Sequence, residues 1–236
     1  MSHSNHDQTT DRRSFLGSLA AVGATSMGLA GLANPFTAKA NPNSLETPDP
    51  HPAIAWFEKV KGTHKIVFDC TKPHGVFPFA WPKVFLMTNG MTGSPETDCG
   101  VVVVLRHDAI PYAFEDKIWT KYNFGKVFNA PDPVSKAENS DHNPFWKPKE
   151  GDFAFPGIGP VALGISDLQK QGIMFCVCEA AITVYSAAVA QGMKLEAADV
   201  RKDWLTGLLP GIQPVPSGVW ALGRAQEKGC GYIFAG

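Results

Sequence analysis

The sequence predicts a three-layer α/β protein built on a mostly parallel, five-stranded sheet. Short β-branched and aromatic runs alternate with segments of helical periodicity along most of the chain. One run, Val101–Leu105, is continuously apolar, as expected of a strand covered on both faces. Such alternation implies right-handed crossovers that place helices on both faces of the sheet. The 236 residues, 44% hydrophobic and 18% charged, exclude disorder for most of the chain.

The first 40 residues are predicted to be a twin-arginine export signal. The run Asp11-Arg12-Arg13-Ser14-Phe15-Leu16 precedes a weakly apolar stretch from Leu16 to Leu32, and Ala38-Lys39-Ala40 supplies a small-x-small cleavage site. The stretch is rich in Gly, Ala and Ser, so we expect cleavage after Ala40 and no stable membrane anchor; an uncleaved anchor is the alternative. The expected location is periplasmic or secreted, with the twin-arginine export machinery as a transient partner.

Charge and cysteine content exclude two further classes of protein. The 21 basic and 22 acidic residues nearly cancel, which argues against binding nucleic acid or an anionic membrane. Five cysteines in a chain of this length cannot form a disulfide scaffold that replaces a core. Small molecules or further copies of the chain are therefore the expected partners.

The first half of the domain is predicted to contain two strand–helix units. Residues 41–52 are a proline-rich extended leader, and the domain is expected over residues 53–236. The predicted elements are a strand His64–Cys70, a helix Lys83–Met91 with Pro82 in its first turn, the strand Val101–Leu105 and a helix Tyr112–Phe128.

An irregular insertion is predicted over residues 129–160. It holds six prolines and lacks periodicity. Its aromatic residues, Phe145, Trp146, Phe153 and Phe155, are expected to fold it back over the sheet or to bury it against another subunit. The alternation then resumes, with helices predicted over Val161–Gln171, Glu179–Gln191, Leu195–Leu209 and Gly218–Lys228, and strands over Ile173–Cys178, Ile212–Val215 and Tyr232–Phe234.

Candidate site residues follow the predicted strands at their carboxyl ends, where open parallel sheets bind ligands. They are Cys70 and His74 after the first strand, Arg106 and His107 after the second, and Cys178 after the third. Cys178 is the candidate nucleophile, because a thiol at a helix N-terminus meets unpaired N–H groups and the positive end of the helix dipole. Cys176 should share its face of the strand, and burial of both as small hydrophobic residues is the alternative.

His107 and Arg106 are the candidate supporting groups. His107 could exchange a proton with Cys178, because the ordinary pKa of histidine, about 6.5, lies near neutral pH. Arg106 could hold a sulfur oxyanion through its guanidinium group. The alternatives are a loop-capping histidine and a surface ion pair of Arg106 with Asp108 or Glu115.

Three stretches of the chain resemble the DsrE/DsrF-like family. They are Gly172-Ile173-Met174-Phe175-Cys176-Val177-Cys178-Glu179-Ala180-Ala181, Gly211-Ile212-Gln213-Pro214-Val215-Pro216-Ser217-Gly218-Val219-Trp220 and Arg224-Ala225-Gln226-Glu227-Lys228-Gly229-Cys230-Gly231-Tyr232-Ile233. The resemblance implies a flavodoxin-like fold, homo-oligomers and, in sulfur-relay members, a persulfide on the cysteine that maps onto Cys178. The export signal, the insertion and Cys176 depart from the characterised relay proteins, so the fold transfers better than the activity.

A strand order of 2-1-3-4-5 would make the first and third strands neighbours. The Cα atoms of Cys70 and Cys178 could then fall within the roughly 4.4–6.8 Å that a disulfide requires. Such a pair could be a redox couple, a structural bridge or, with His74 or His107, a site for a soft metal ion. No close ligand spacing supports the metal, so no cofactor is expected.

Two functions remain open from the sequence. The first is an exported sulfur-handling or thiol-exchange protein that acts through Cys178. The second is a non-catalytic oligomeric protein that binds a small ligand or metal at the carboxyl edge of the sheet.

Overall fold

A five-stranded parallel sheet forms the centre of the computed structural model, which describes residues 51–236. The predicted export signal and residues 41–50 of the leader lie outside the described residues. The strands of this sheet are β1 (His64–Cys70), β2 (Cys99–Leu105), β5 (Met174–Cys178), β6 (Ile212–Val215) and β7 (Gly231–Phe234). Two further short strands, β3 (Ala154–Phe155) and β4 (Gly159–Pro160), pair with each other in a separate two-stranded sheet. The helices are α1 (Pro52–Phe57), α2 (Phe77–Met91), α3 (Asp116–Tyr122), α4 (Phe124–Val127), α5 (Ile165–Lys170), α6 (Glu179–Met193), α7 (Ala197–Thr206) and α8 (Gly218–Glu227).

The sheet has the order β6-β5-β2-β1-β7, and every neighbouring pair is parallel. Helices cover both faces, which confirms the predicted flavodoxin-like three-layer architecture. The continuously apolar strand β2 is central, and its residues from Gly100 to Leu105 are buried. A strand in this position needs apolar side chains on both faces because neither face meets water.

The strand order differs from the 2-1-3-4-5 order considered above. β2 lies between β1 and β5, so the first and third strands of the sheet are not neighbours. Cys70 aligns with Leu105 of β2, and Leu105 aligns with Val177 of β5. Strands are spaced by about 4.8 Å, which puts the ends of β1 and β5 roughly 10 Å apart.

The two faces of the sheet carry separate apolar clusters. The larger cluster contains Ile66, Phe68 and Cys70 of β1 and packs under α2 to α7. The smaller cluster contains Val67 of β1 and Cys176 of β5 and packs under α1 and α8. Because successive side chains of a strand point to opposite faces, each strand divides its residues between these clusters.

The predicted helices all differ somewhat from the structure in their bounds: the helix predicted over Val161–Gln171 covers only Ile165–Lys170, and two others differ more. α2 begins at Phe77 rather than Lys83, because Pro78 and not Pro82 occupies its first turn. The predicted helix Tyr112–Phe128 is broken: a 3₁₀ segment covers His107–Ala113, and α3 and α4 follow it. Asn123 separates α3 from α4 in the left-handed conformation, with φ 52°. Asparagine tolerates this conformation better than most residues, so it ends one helix and starts another.

The insertion folds back onto the protein, as one of the two predictions for it stated. Phe145 is buried and stacks on Phe79 of α2, with ring centroids 4.0 Å apart. The Asn143 amide donates hydrogen bonds to the carbonyl oxygens of Tyr112 and Phe114, at 2.9 and 3.0 Å. A buried aromatic ring and a satisfied buried amide therefore hold the insertion in one position.

The leader is not wholly extended where the structure describes it. α1 begins at Pro52, and the Nδ1 atom of His51 accepts a hydrogen bond from the backbone N–H of Ala53. Trp56 and Phe57 of α1 are buried in the smaller cluster. Between residues 51 and 236, no helix combines the length and the apolar character needed to cross a membrane.

Candidate functional site

Four side chains lie at the carboxyl edge of the sheet, on the face that carries the smaller apolar cluster. They are Asp69 from β1, Arg106 directly after β2, Cys178 from β5 and Tyr232 from β7, and we call them the carboxyl-edge cluster. Alternation explains the shared face, because Val67, Val104 and Cys176 lie two residues earlier on three of these strands and all belong to the smaller cluster. The parallel sheet thus brings together residues from four strands.

Asp69 is the buried anion of the carboxyl-edge cluster, with 1% of its surface exposed. Arg106 grips it with two hydrogen bonds, from Nε to Oδ1 at 2.7 Å and from Nη2 to Oδ2 at 2.9 Å. The Tyr232 hydroxyl donates a third to Oδ2, at 2.8 Å. These three hydrogen bonds compensate for the water that the buried carboxylate has lost, and the bidentate contact fixes the plane of the guanidinium group.

The groups around Arg106 favour its protonated, positively charged form. Its hydrogen bonds to Asp69 raise the pKa of the guanidinium above its ordinary value, and Tyr232 and Cys178 add smaller electrostatic contributions in the same direction. Burial and the hydrogen bond to Asp69 also raise the pKa of Tyr232. Arg106 is therefore a cation held in one position by Asp69, on the face of the sheet that also carries Cys178.

Cys178 is the N-cap residue of α6. Its Sγ atom accepts a hydrogen bond from the backbone N–H of Ala181, with an N···S distance of 3.3 Å. The residue is 7% exposed, so the sulfur lies just below the surface. Helix N-termini in general favour sulfur anions, through their backbone N–H groups and the positive end of the helix dipole. Glu179, the next residue, is held by Nη2 of Arg201 at 3.1 Å, which compensates its negative charge.

The start of α8 lies against Arg106. Gly218 is the first residue of α8, and a Cβ atom there would come within 2.6 Å of Cβ of Arg106. Only glycine leaves room for the arginine side chain at this position. Pro216 also accepts a hydrogen bond from the N–H of Ala180 at 3.3 Å, so the starts of α6 and α8 are joined beside the carboxyl-edge cluster.

His107 follows Arg106 but contacts a different group. Its ring lies edge-on to Tyr185 of α6, and the Tyr185 hydroxyl donates a hydrogen bond to Asp108. Burial, and next this hydrogen bond, raise the pKa of Tyr185. Tyr185 is seven residues beyond Cys178, about two helical turns along α6. Proton exchange between His107 and Cys178 therefore stays a prediction without a contact to carry it. His107 itself has φ 52°, a conformation that costs a non-glycine residue free energy and is common at functional sites.

Cys70 does not join the carboxyl-edge cluster. It belongs to the larger apolar cluster, so its side chain lies on the opposite face of the sheet from Cys178, with β2 between them. The prediction that Cys70 and Cys178 form a disulfide or a metal site required neighbouring strands and is therefore wrong. All five cysteines are free. Burial raises the pKa of Cys70 far above the ordinary value for a thiol.

The remaining thiols and His74 also lie apart from the carboxyl-edge cluster. Burial raises the pKa values of Cys176, Cys99 and Cys230. His74 is exposed and packs beside Phe77, with ring centroids 5.1 Å apart. No group of three or more His, Cys, Asp or Glu side chains within residues 51–236 is arranged to hold a metal ion.

Arg106 and Cys178 are predictable from their positions after strands, whereas three other residues of this region are not among the predicted site residues: Asp69, Tyr232 and Gly218. Asp69 carried a usable signal, because a carboxylate inside an apolar strand requires a buried partner. Tyr232 and Gly218 carried none, because their roles depend on which strand and helix lie beside β1 and β2.

No family profile and no curated protein matches the chain. A solved structure of a protein of unknown function, MTH1491 from Methanobacterium thermoautotrophicum, is similar with a TM-score of 0.37 and 16% identity, over 72% of this chain and 98% of that one.

Proposed function

We propose that this protein is an exported DsrE-like sulfur carrier that accepts sulfane sulfur, or exchanges thiols, on Cys178. The observation that carries the proposal is the placement of the Cys178 sulfur at the N-terminus of α6, on the same face as an arginine fixed by a buried carboxylate. The resemblance of the sequence around Cys178 to the relay cysteine of the DsrE/DsrF-like family supports the same assignment.

The local chemistry suits an anionic sulfur donor. The Cys178 thiolate attacks a terminal sulfur of a polysulfide, a new S–S bond forms on Cys178, and the donor's S–S bond breaks. The electron pair of the broken bond leaves on the shortened polysulfide, and the persulfide on Cys178 keeps the negative charge. The N–H of Ala181 and the charge of Arg106 stabilise this anion.

Arg106 also retains a donor for the incoming anion. Asp69 occupies Nε and Nη2, whereas Nη1 has no acceptor within residues 51–236. Its side chain is 27% exposed, so a small anion in solvent can reach it. An arginine held on one side by a carboxylate and open on the other binds anions without having to reorganise.

Sulfur loading of the purified protein tests the proposal. The wild-type protein should gain the mass of one sulfur atom after exposure to polysulfide, and Cys178→Ser should not. The matched control is Cys99→Ser. It removes a half-buried thiol at the amino-terminal end of β2, away from the carboxyl edge, and should load as the wild type does. Unchanged loading of Cys178→Ser would refute the assignment.

Arg106→Gln provides a second test of the same site. It removes the charge while keeping a hydrogen-bonding side chain, so polysulfide loading should slow by on the order of tenfold or more, as expected for a lost charge-assisted contact. Uncharged thiol reagents should react with Cys178 at a rate closer to that of the wild type. Equal slowing with charged and uncharged reagents would show that Arg106 does not act through its charge.

A further inference from the structure

The β7 strand forms an exposed edge of the sheet. It pairs with β1 only, and its other side carries backbone groups that no strand covers within residues 51–236. Its side chains are exposed on both faces: Tyr232 by 47%, Ile233 by 40% and Phe234 by 57%. Natural edge strands are often protected by short length, lysine, proline or a bulge; Gly231–Phe234 is four residues long and has no lysine, proline or bulge.

The apolar surface extends beyond the strand itself. Gly236 lies so close to His74 that a Cβ atom on it would be 2.5 Å from Cβ of His74. The His74 ring packs on Phe77, which stacks on Trp81 with centroids 4.8 Å apart. Phe77 and Trp81 are themselves exposed, so they continue the apolar surface from the end of β7 onto α2.

The side-chain pattern of β7 is self-complementary. Tyr232 faces Asp69, so Tyr232 and Phe234 share one face of the sheet and Ile233 lies on the other. A two-fold axis through Ile233, perpendicular to the sheet, pairs Ile233 with its own copy. The same axis pairs Tyr232 with Phe234 of the second copy, twice. Cross-strand aromatic pairs and pairs of β-branched residues both stabilise antiparallel strands.

The charge pattern also favours an identical partner. No charged residue occurs from Cys230 to Gly236, so two copies meet without like-charge repulsion. A highly charged partner would find no complementary group on this strand. The free backbone groups supply the hydrogen bonds that fix the register of an added strand.

We propose that β7 is the dimerisation strand of this protein, and that two copies join by antiparallel pairing of β7 into one continuous sheet. The inference does not depend on sulfur chemistry at Cys178. The two are linked in one respect, because Tyr232 both lies on β7 and holds Asp69 of the carboxyl-edge cluster.

Sedimentation equilibrium of the purified full chain tests the proposal. The wild-type protein should be a dimer, and Ile233→Lys should weaken the dimer by on the order of 100-fold or more, because two like charges would face each other across the axis. The matched control is Ile158→Lys, at a 62% exposed position in the turn between β3 and β4, which should dimerise as the wild type does. A monomeric wild type, or an Ile233→Lys dimer of wild-type strength, would overturn the proposal.

A cross-linking experiment tests the register and does not depend on the folding of the lysine variant. Ile233→Cys should form an intermolecular disulfide on mild oxidation, because residues directly opposite in an antiparallel pair have Cα atoms about 4.5–5.5 Å apart. Ile158→Cys and the wild type, whose five cysteines are free, should not cross-link at this rate. Equal cross-linking of the two cysteine variants would show that β7 does not meet its own copy, whatever the oligomeric state.

Discussion

The two edges of the sheet differ in how they are finished. The β6 edge contains Pro214, which cannot donate to an added strand, and the buried residues Ile212 and Val215. α1 packs beside it and buries Trp56. The β7 edge has no proline, no helix within residues 51–236 covers it, and its apolar side chains are exposed. Within the described residues, the chain therefore covers the β6 edge and leaves the β7 edge open.

The open edge is connected to the carboxyl-edge cluster by a side chain. Tyr232 reaches from β7 to Asp69, and Asp69 holds Arg106. The closed edge is connected through the backbone instead, because Val215 of β6 pairs with Cys178 of β5. A partner at β7 could therefore act on the ion pair of the site through Tyr232, whereas β6 supports the strand that carries Cys178.

Uncovering the closed edge should cause the largest loss of stability. Trp56→Ala removes a buried indole from α1, and we expect a loss of about 3–5 kcal/mol in the free energy of unfolding. Phe234→Ala at the open edge should cost less than about 1 kcal/mol, because that ring is mostly exposed in a monomer. Urea unfolding at a protein concentration low enough for monomers measures both, and similar losses would show that the edges do not differ in this way.

Removing the buried anion beside the open edge should have the next largest effect. Asp69→Ala leaves Arg106 without its partner, and we expect a loss of about 3 kcal/mol, since Asp69 is buried but Arg106 is partly solvated. The control is Gln213→Ala at the closed edge, which loses one local hydrogen bond and should change stability by less than about 0.5 kcal/mol. Chemical denaturation distinguishes them, and a small effect of Asp69→Ala would mean that solvent already screens this ion pair.

The stability of the protein should fall at high pH through its buried thiols. Cys70 of β1 lies beside the open edge and Cys176 of β5 beside the closed one, and burial raises the pKa of each from the ordinary 9.0. Above pH 9 the unfolded chain releases these protons and the folded one keeps them. Each thiol therefore costs ~1.4 kcal/mol of stability per pH unit. Above pH 9, Cys70→Ala and Cys176→Ala should therefore each make the decrease of the unfolding free energy with pH less steep by ~1.4 kcal/mol per pH unit. An unchanged slope for Cys70→Ala alone would mean that the open edge admits water to β1.

Loss of the Tyr232 hydroxyl should have a small effect on stability and a specific effect on function. Tyr232→Phe removes one of three hydrogen bonds to Asp69, and because the side chain is half exposed we expect a loss of about 1 kcal/mol. Arg106 should be held less firmly, so polysulfide loading on Cys178 should slow while the dimer persists. Phe234→Leu, on the same strand and face, should alter neither stability nor loading to this extent. If Tyr232→Phe loads polysulfide sulfur at the wild-type rate, then β7 does not influence the chemistry at Cys178.

Much of the architecture could be predicted from local sequence signals. The bounds of β1 and β6 agree with the prediction residue for residue, because their apolar runs are flanked by turn residues. Cys178 and Arg106 were found because the ends of parallel strands are where such folds collect functional groups. These signals depend only on neighbours in the chain.

The strand order and the partners of the site could not be predicted in the same way. Connections between parallel strands are almost always right-handed crossovers, and this rule does not say on which side of β1 the next strand lies. Cys70 and Cys178 were therefore brought together wrongly, and Tyr232, 163 residues from Asp69, was not connected to it. Helix α1 was missed because the prolines around it resemble those of an extended linker.

The position of β7 also has a consequence for the order of folding. β1 pairs with β2 across a short crossover, whereas its other neighbour is the last strand of the sheet along the chain. Contacts between distant residues form late, because closing a long loop costs more chain entropy. The ion pair between Asp69 and Arg106 can form early in folding, whereas the hydrogen bond from the Tyr232 hydroxyl forms only when β7 pairs with β1. Until then β1 has a free side that can accept β7 from another chain, so domain-swapped dimers are the characteristic misfolded product expected of this protein.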